Sequence, residues 1–206
     1  MMFDIYVINL ESRKDRFEYI QQKFGNDFNI IRIDAIFDKE GWKGCLKSHL
    51  KCVSIAKENN MKYIIVMEDD CEPMDINWKQ RLIEFKENLF DKRDDWDIFL
   101  GGSAKTWTTR ISKFDYSNDN IYKVNFSHNT HMIVYNHTSY DFFLNASHEL
   151  PIDVLWHKKI RCLIPLPFMF SCQSGYSNIG KTYSNIKKLI LDNQNKLIEY
   201  VKINNI

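Results

Sequence analysis

Three consecutive carboxylates, Glu68-Asp69-Asp70, end the apolar run Tyr63-Ile64-Ile65-Val66-Met67. Adjacent acids repel one another unless positive charge is close, and a divalent cation is one way to supply it. The other reading is a solvated acidic turn, which is what most charge runs are. The apolar run shows no alternation, as expected of a strand covered on both faces. Its carboxylates then fall at the carboxyl end, where open α/β sheets hold their ligands.

Three further groups have residue types suited to chemistry. Asn9-Leu10-x-x-Arg13-x-x-Arg16 follows a first apolar run, and guanidinium groups there can grip a diphosphate bidentately or simply decorate a helix surface. Gly44-Cys45-x-x-Ser48-His49 opens a helix whose free N–H groups can receive an anion or a sugar hydroxyl. Cys45, His49 and Cys52 share one face of that helix, but three ligands along one helix reach a single zinc ion poorly, so packed thiols with His49 near the site are expected. Pro151-Ile152-Asp153 marks another helix start, where Asp153 is either an N-cap or a general base facing an acceptor hydroxyl. His131 and His157 read as structural, each also able to complete a metal or phosphate site.

The elements that must position these groups alternate. Phe3 to Leu10 reads as a strand; Ser12 can cap a helix carrying Phe17, Ile20 and Phe24 and closing near Gly25. Asn29 to Ile36 reads as a strand, Gly41 and Gly44 as loop, and about Cys45 to Lys57 as a helix. After the acidic triplet, Asp75 can cap a helix bearing Trp78, Leu82, Phe85 and Leu89, and Trp96 to Leu100 is a strand stopped by Gly101-Gly102. Ser103 to Asn120 is a long polar stretch of the kind that forms lids or binding loops. Strands follow at Ile121 to Phe126 and His131 to Tyr135, then helices at Thr138 to Ala146 and from Pro151 to about Lys158. Cys162 to Ile164 reads as a last strand before the aromatic turn Pro165 to Tyr176. Ser184 to Lys202 is a Lys-rich helix with an apolar stripe of Ile186, Leu189-Ile190, Leu197 and Val201, expected to pack on the core. This order predicts an α/β fold with a mostly parallel, mixed sheet flanked by helices.

Bulk properties narrow the function classes. The 206 residues suit one domain, and 44% hydrophobic with 27% charged residues is ordinary for a globular chain. A net charge of +1 argues against general affinity for nucleic acid or acidic membranes. The five cysteines form no CxxC pair and read as reduced thiols. With no secretory leader pattern and no stretch long enough to span a membrane, the expected location is the cytoplasm.

Taken in order, Val7-Ile8-Asn9-Leu10 with Arg13 and Arg16, Asp34-Ala35, Gly44-Cys45-x-x-Ser48-His49, Glu68-Asp69-Asp70 and Pro151-x-Asp153 resemble the motif series of glycosyltransferase family 25. That family includes lipooligosaccharide and procollagen galactosyltransferases. The resemblance implies a GT-A-type, Rossmann-like single domain over 1–206. It divides into a nucleotide-sugar and metal half at 1–102, an acceptor half at 103–183 and a C-terminal amphipathic helix at 184–203. It implies a UDP-sugar donor, a divalent cation such as Mn²⁺, and inverting transfer of galactose or glucose to a glycan or hydroxylysine acceptor. By resemblance, Asp70 binds the metal, with Glu68 at the ion or the ribose. Asn9, Leu10, Arg13, Arg16, Ser48, His49, Glu68 and Asp69 lie on the donor side, and Asp153 is on the acceptor side or is the base. The strand Thr130-His131-Met132-Ile133-Val134-Tyr135 and the terminal block Pro167 to Gln173 with Ser177-Asn178-Ile179 follow the family pattern only loosely. A silent GT-A domain that binds a glycan or a protein is therefore the alternative. A nucleotidyltransferase is disfavoured, since no Gly-rich, Lys-containing loop follows the first strand.

Overall fold

A two-residue period in the strands sorts apolar side chains onto two faces of one central sheet. A computed structural model describes residues 2–108, 111–117, 119–177 and 182–206. The chain begins β1 (Asp4–Asn9), α1 (Lys14–Phe24), β2 (Asn29–Asp34), α2 (Gly41–Glu58), β3 (Tyr63–Glu68) and β4 (Cys71–Pro73). It continues with α3 (Trp78–Phe85), a π-helical turn over Lys86–Phe90, β5 (Ile98–Leu100), β6 (Lys105–Thr106), β7 (Ser112–Lys113), β8 (Ile121–Val124), β9 (Ser127–His128) and β10 (Met132–Asn136). A 3₁₀ turn, His137–Ser139, leads to α4 (Tyr140–Asn145) and α5 (Ile152–Leu155). Last come β11 (Cys162–Pro165), β12 (Phe170–Cys172), β13 (Gly175–Ser177), β14 (Thr182–Ser184) and α6 (Ile186–Asn204).

The sheet order is β2-β1-β3-β10-β5-β11-β8-β7, with β10 and β8 running against the other six strands. Ile5, Val7, Ile65, Met67, Phe99 and Val134 face α1 and α3, meeting Ile20, Phe24, Leu82 and Phe85. Ile8, Ile64, Val66, Ile98, Leu100 and Ile133 face the other way, onto Leu46, Leu50 and Val53 of α2 and Ile152 and Leu155 of α5. The mixed α/β architecture expected from the alternating pattern is thus present. The chain leaves β1 for β2 through α1 and returns to β3 on the far side of β1 through α2, so strand order reverses between β1 and β3. Such a switch point opens a crevice at the carboxyl ends of the strands.

Several local expectations change. Ser12 does not cap α1; Arg13 holds the N-cap position without a side-chain cap bond. Asp75 accepts from Asn77 N–H at 2.9 Å and pairs with Arg81 at 2.6 Å, but Asn77 occupies the N-cap of α3. Helix α2 starts at Gly41, so Gly44 lies inside its first turn rather than in a loop. A Cβ at Gly44 would sit 2.6 Å from the Ile36 carbonyl oxygen, which explains the glycine by close approach. The stretch after Ser103 contains β6 and β7, and the aromatic turn after Pro165 contains β12, which pairs with β4. On α6, Leu189 is exposed, whereas the polar Asn193 is buried and bonded to Ser103 O at 3.0 Å and Thr106 N at 3.1 Å. Asn178 and Ile179 of the terminal block lie outside the described residues. No helix among the described residues is long and apolar enough to cross a membrane.

Candidate active site

The crevice at the switch point is a cleft of about 410 Å³. Leu10, Arg13 and Arg16 line it after β1, Ala35 to Asp38 after β2, Gly41, Gly44, Cys45, Ser48 and His49 along α2, and Glu68 to Asp70 at the end of β3. Eight residues singled out by type and spacing therefore meet here: Leu10, Arg13, Arg16, Ser48, His49, Glu68, Asp69 and Asp70. Asn9 lies beneath the cleft, buried to 1% exposure, and Asp153 stands outside its lining.

Alternation divides the triplet. Asp69 turns toward the β1–α1 side, accepting from Asn9 Nδ2 at 2.8 Å and Arg16 Nη1 at 2.9 Å. Asn9 also donates to Arg13 O and accepts from Arg32 Nε, so it ties three segments to one carboxylate. Burial nevertheless holds the Asp69 carboxyl above its ordinary range, with the Arg16 guanidinium opposing the rise.

Glu68 turns toward α2 and β10. Its Oε1 accepts from Thr130 Oγ1 at 2.5 Å and lies 3.4 Å from His49 Nε2 and 3.9 Å from Cys45 Sγ. His49 is wholly buried, and its Nδ1 lies 2.9 Å from the Tyr135 hydroxyl. One proton arrangement satisfies the whole chain: Tyr135 O–H donates to Nδ1, and His49 Nε2–H donates to Glu68. Burial alone would raise the Glu68 carboxyl; the hydrogen bonds from His49 and Thr130 outweigh it and hold the carboxyl below its ordinary value.

Asp70 has no comparable support. Its Oδ1 is buried without a hydrogen-bond partner, and Arg16 Nη1 is 3.6 Å from Oδ2. Burial and the neighbouring Glu68 charge push its pKa up to about 7. A buried, unpaired carboxylate oxygen beside a second carboxylate is what a hard divalent cation would satisfy. Glu68 and Asp70 therefore fit such an ion.

Cys45 Sγ, His49 and Glu68 also lie with ligand atoms within 4.8 Å of one another. Burial and the Glu68 charge push the Cys45 thiol well up, and the histidine is already committed to Glu68, so this trio serves the carboxylate rather than a thiolate–zinc site. Cys52 is buried in the core on the same helix.

The remaining groups frame the cleft. Arg13 pairs bidentately with Asp15, at 3.0 Å and 2.8 Å, pulling that carboxyl down to about 2. Ser48 donates to Gly44 O at 2.7 Å and accepts from Ile36 N–H at 2.8 Å, so it fastens the loop after β2 to α2. Phe37 on that loop is 78% exposed and lines the cleft. Asp153 occupies the second position of α5 and is not a cap; its Oδ2 accepts from Asn129 N–H at 3.3 Å and lies 3.2 Å from His128 Nδ1. Thr130, which grips Glu68, is the next residue along the chain from Asn129.

Sequence reasoning missed Thr130, Tyr135 and Phe37. The apolar Ile36-Phe37 pair in a connection between strand and helix was the signal for the last. Thr130 and Tyr135 reach the site only because β10 is inserted antiparallel beside β3, with Met132 opposite Met67.

Compared by sequence, the chain matches no family model and no curated protein. Among solved structures it is similar to A197 from STIV, at 11% identity over 80% of this chain and 81% of that one, with a TM-score of 0.43. It is also similar to a glycosyltransferase involved in the glycosylation of the major capsid of PBCV-1 (9% identity, 69% and 64% coverage, TM-score 0.40). A third likeness is to mannose-1-phosphate geranyltransferase from Thermus thermophilus (11% identity, 83% and 76% coverage, TM-score 0.44). At these values none of them assigns an activity or a substrate to this chain.

Proposed function

We propose that this chain is an inverting hexosyltransferase of the family 25 type, taking galactose or glucose from a UDP-sugar to a hydroxyl of a glycan or hydroxylysine acceptor. The observation that carries this reading is the Asp70 carboxylate, with one oxygen buried and unpaired beside Glu68, facing a switch-point cleft that also presents Arg13 and Arg16. Glu68 and Asp70 would hold Mn²⁺ or another divalent cation, which when bound offsets charge growing on the diphosphate leaving group. Arg13 and Arg16 contribute positive charge to the same diphosphate, and Phe37 offers a ring for the base. Asn9 and Asp69 set the position of Arg16.

Asp153 then takes the proton from the acceptor hydroxyl. The acceptor oxygen bonds to the anomeric carbon as the bond to the β-phosphate oxygen breaks, and UDP leaves with the electron pair. The Oδ2 of Asp153 is engaged by His128 and Asn129, whereas Oδ1 has no hydrogen bond among the described residues and is the oxygen to receive the proton. A second reading, a binding domain without turnover, is favoured by the place of Asp153 outside the cleft lining.

One experiment separates them. The protein is incubated with Mn²⁺ and a panel of UDP-sugars, and both UDP release and thermal stabilisation are followed. Metal-dependent UDP release that Asp70→Ala abolishes supports the transferase. Stabilisation by UDP without release across a broad acceptor panel supports the binding domain. If neither UDP nor any UDP-sugar raises the melting temperature, the donor assignment is wrong.

A further inference from the structure

Beside Asp153 lies a group of rings that core packing does not account for. Trp107 is 46% exposed, while Trp96 and Trp156 are wholly buried and Trp42 and Trp78 partly so. Its indole stacks on Phe126 with centroids 4.3 Å apart and planes 19° from parallel. Phe126 in turn lies 3.6 Å from the His157 ring, and His128 meets both at 5.2 Å, edge-on. Lys105 Nζ lies over the indole at 5.9 Å from its centroid.

The stack is braced from below. The strand carrying Lys105 and Thr106 pairs with Ser127–His128, and buried Asn193 of α6 bonds the Thr106 N–H. His157 Nε2 lies 3.1 Å from Ser127 O, and Lys158 N–H donates to Asn125 O at 3.0 Å. Asn129 adopts a left-handed φ of 90°, its N–H donating to Asp153 and its Oδ1 accepting from Ala104 N–H at 3.2 Å. A non-glycine residue held there costs free energy, and such costs concentrate at functional sites.

We propose that the Trp107–Phe126 stack is a pyranose-binding subsite, with His128 and Asp153 as its polar edge. One face of a pyranose presents C–H groups of weakly positive character, which pack on the negative face of an aromatic ring. The hydroxyls around the sugar need donors and acceptors at the ring's margin, and Lys105, His128 and the Asp153 carboxylate supply both kinds. The occupant is thus a carbohydrate. Calling it the acceptor rests on the transferase reading above; its binding does not. The same segment that edges the platform continues to Thr130, whose hydroxyl donates to Glu68 of the cleft.

The test measures binding without donor or metal. Tryptophan fluorescence and protein-observed NMR follow titration with methyl β-D-galactopyranoside, methyl β-D-glucopyranoside and lactose. Saturable binding is expected, weakened roughly tenfold by Trp107→Ala and much less by Trp107→Tyr, which keeps a stacking ring. Stabilisation by UDP with Mn²⁺, measured on the same variants, should stay at the wild-type value, which also shows that they are folded. Absence of saturable binding by wild-type protein, or equal binding by Trp107→Ala, overturns the subsite. If the sugars bind through Trp107 while UDP neither binds nor is released, the subsite stands and the transferase reading falls. Transfer to an acceptor that contains no sugar, with no glycoside binding, has the opposite result.

Discussion

The switch-point cleft and the aromatic platform beside Asp153 are built by opposite means. The cleft lies at the ends of long strands, and its polar side chains are held by one another: Asn9 and Arg16 on Asp69, Thr130 and His49 on Glu68. The platform stands on two-residue strands and one-turn helices, and ring stacking with backbone hydrogen bonds shapes it. A charged diphosphate needs fixed charges in a poorly solvated crevice. A sugar needs broad, shallow, partly apolar surface, which loops supply more readily than strand ends.

Substitutions should separate the regions, and the largest effect belongs to the cleft. Asp70→Ala should lower metal-dependent UDP release about a thousandfold while thermal unfolding remains cooperative; release at the wild-type rate would sink the metal assignment. Asp153→Asn should lower kcat about a hundredfold and leave UDP binding unchanged, as read by turnover beside a thermal shift. A parallel loss of UDP affinity would show that the two regions are not separate.

Asn9→Leu strands one oxygen of buried Asp69 and an Arg32 N–H, and should cost about 2 kcal/mol of stability in denaturant unfolding. A variant as stable as wild type would mean that the Asn9 bridge holds nothing. The Asp70 pKa predicts a pH effect with definite sign. The folded protein keeps a proton that the unfolded chain has lost between the ordinary value of 3.8 and about 7. This group's stabilising contribution therefore fades as pH rises through that window. A divalent cation held by Asp70 would require its ionised form, so stabilisation by Mn²⁺ over chelator should grow from about pH 5.5 to about pH 7.5, and Asp70→Asn should remove the trend. The smallest effect is expected of Phe37→Ala, about fivefold weaker UDP binding by calorimetry with no change in melting temperature.

The two regions also differed in how much of them could be read from residue order. The acidic triplet, the arginines after β1 and the Ser-His pair are local patterns, and the cleft brings all of them together at the switch point. Local spacing could not show that Asp69 turns one way and Glu68 the other, because that depends on which neighbouring strand each faces. Thr130 and Tyr135 were legible only as parts of an apolar strand, since their partners arrive through an antiparallel insertion between β3 and β5. The Trp107 platform sits in a polar, weakly periodic stretch where hydrophobic patterning has no period to detect. Asn193 was hidden for a related reason: a stripe of leucines and isoleucines marks burial by apolarity, and a buried amide serving two backbone groups leaves no such mark.

The antiparallel placement of β10 also sets a timetable for biosynthesis. Val66 of β3 pairs with Ile133 of β10, about 67 residues further along the chain. At ribosomal rates of about 5–20 residues per second, β3 waits roughly 3–13 s for its second neighbour. Through that interval its apolar edge lacks its β10 partner, the condition under which nascent strands recruit wrong ones. The clamp on Glu68 cannot close before Thr130 has been made. The finished cleft should therefore appear late in synthesis, together with the completed sheet.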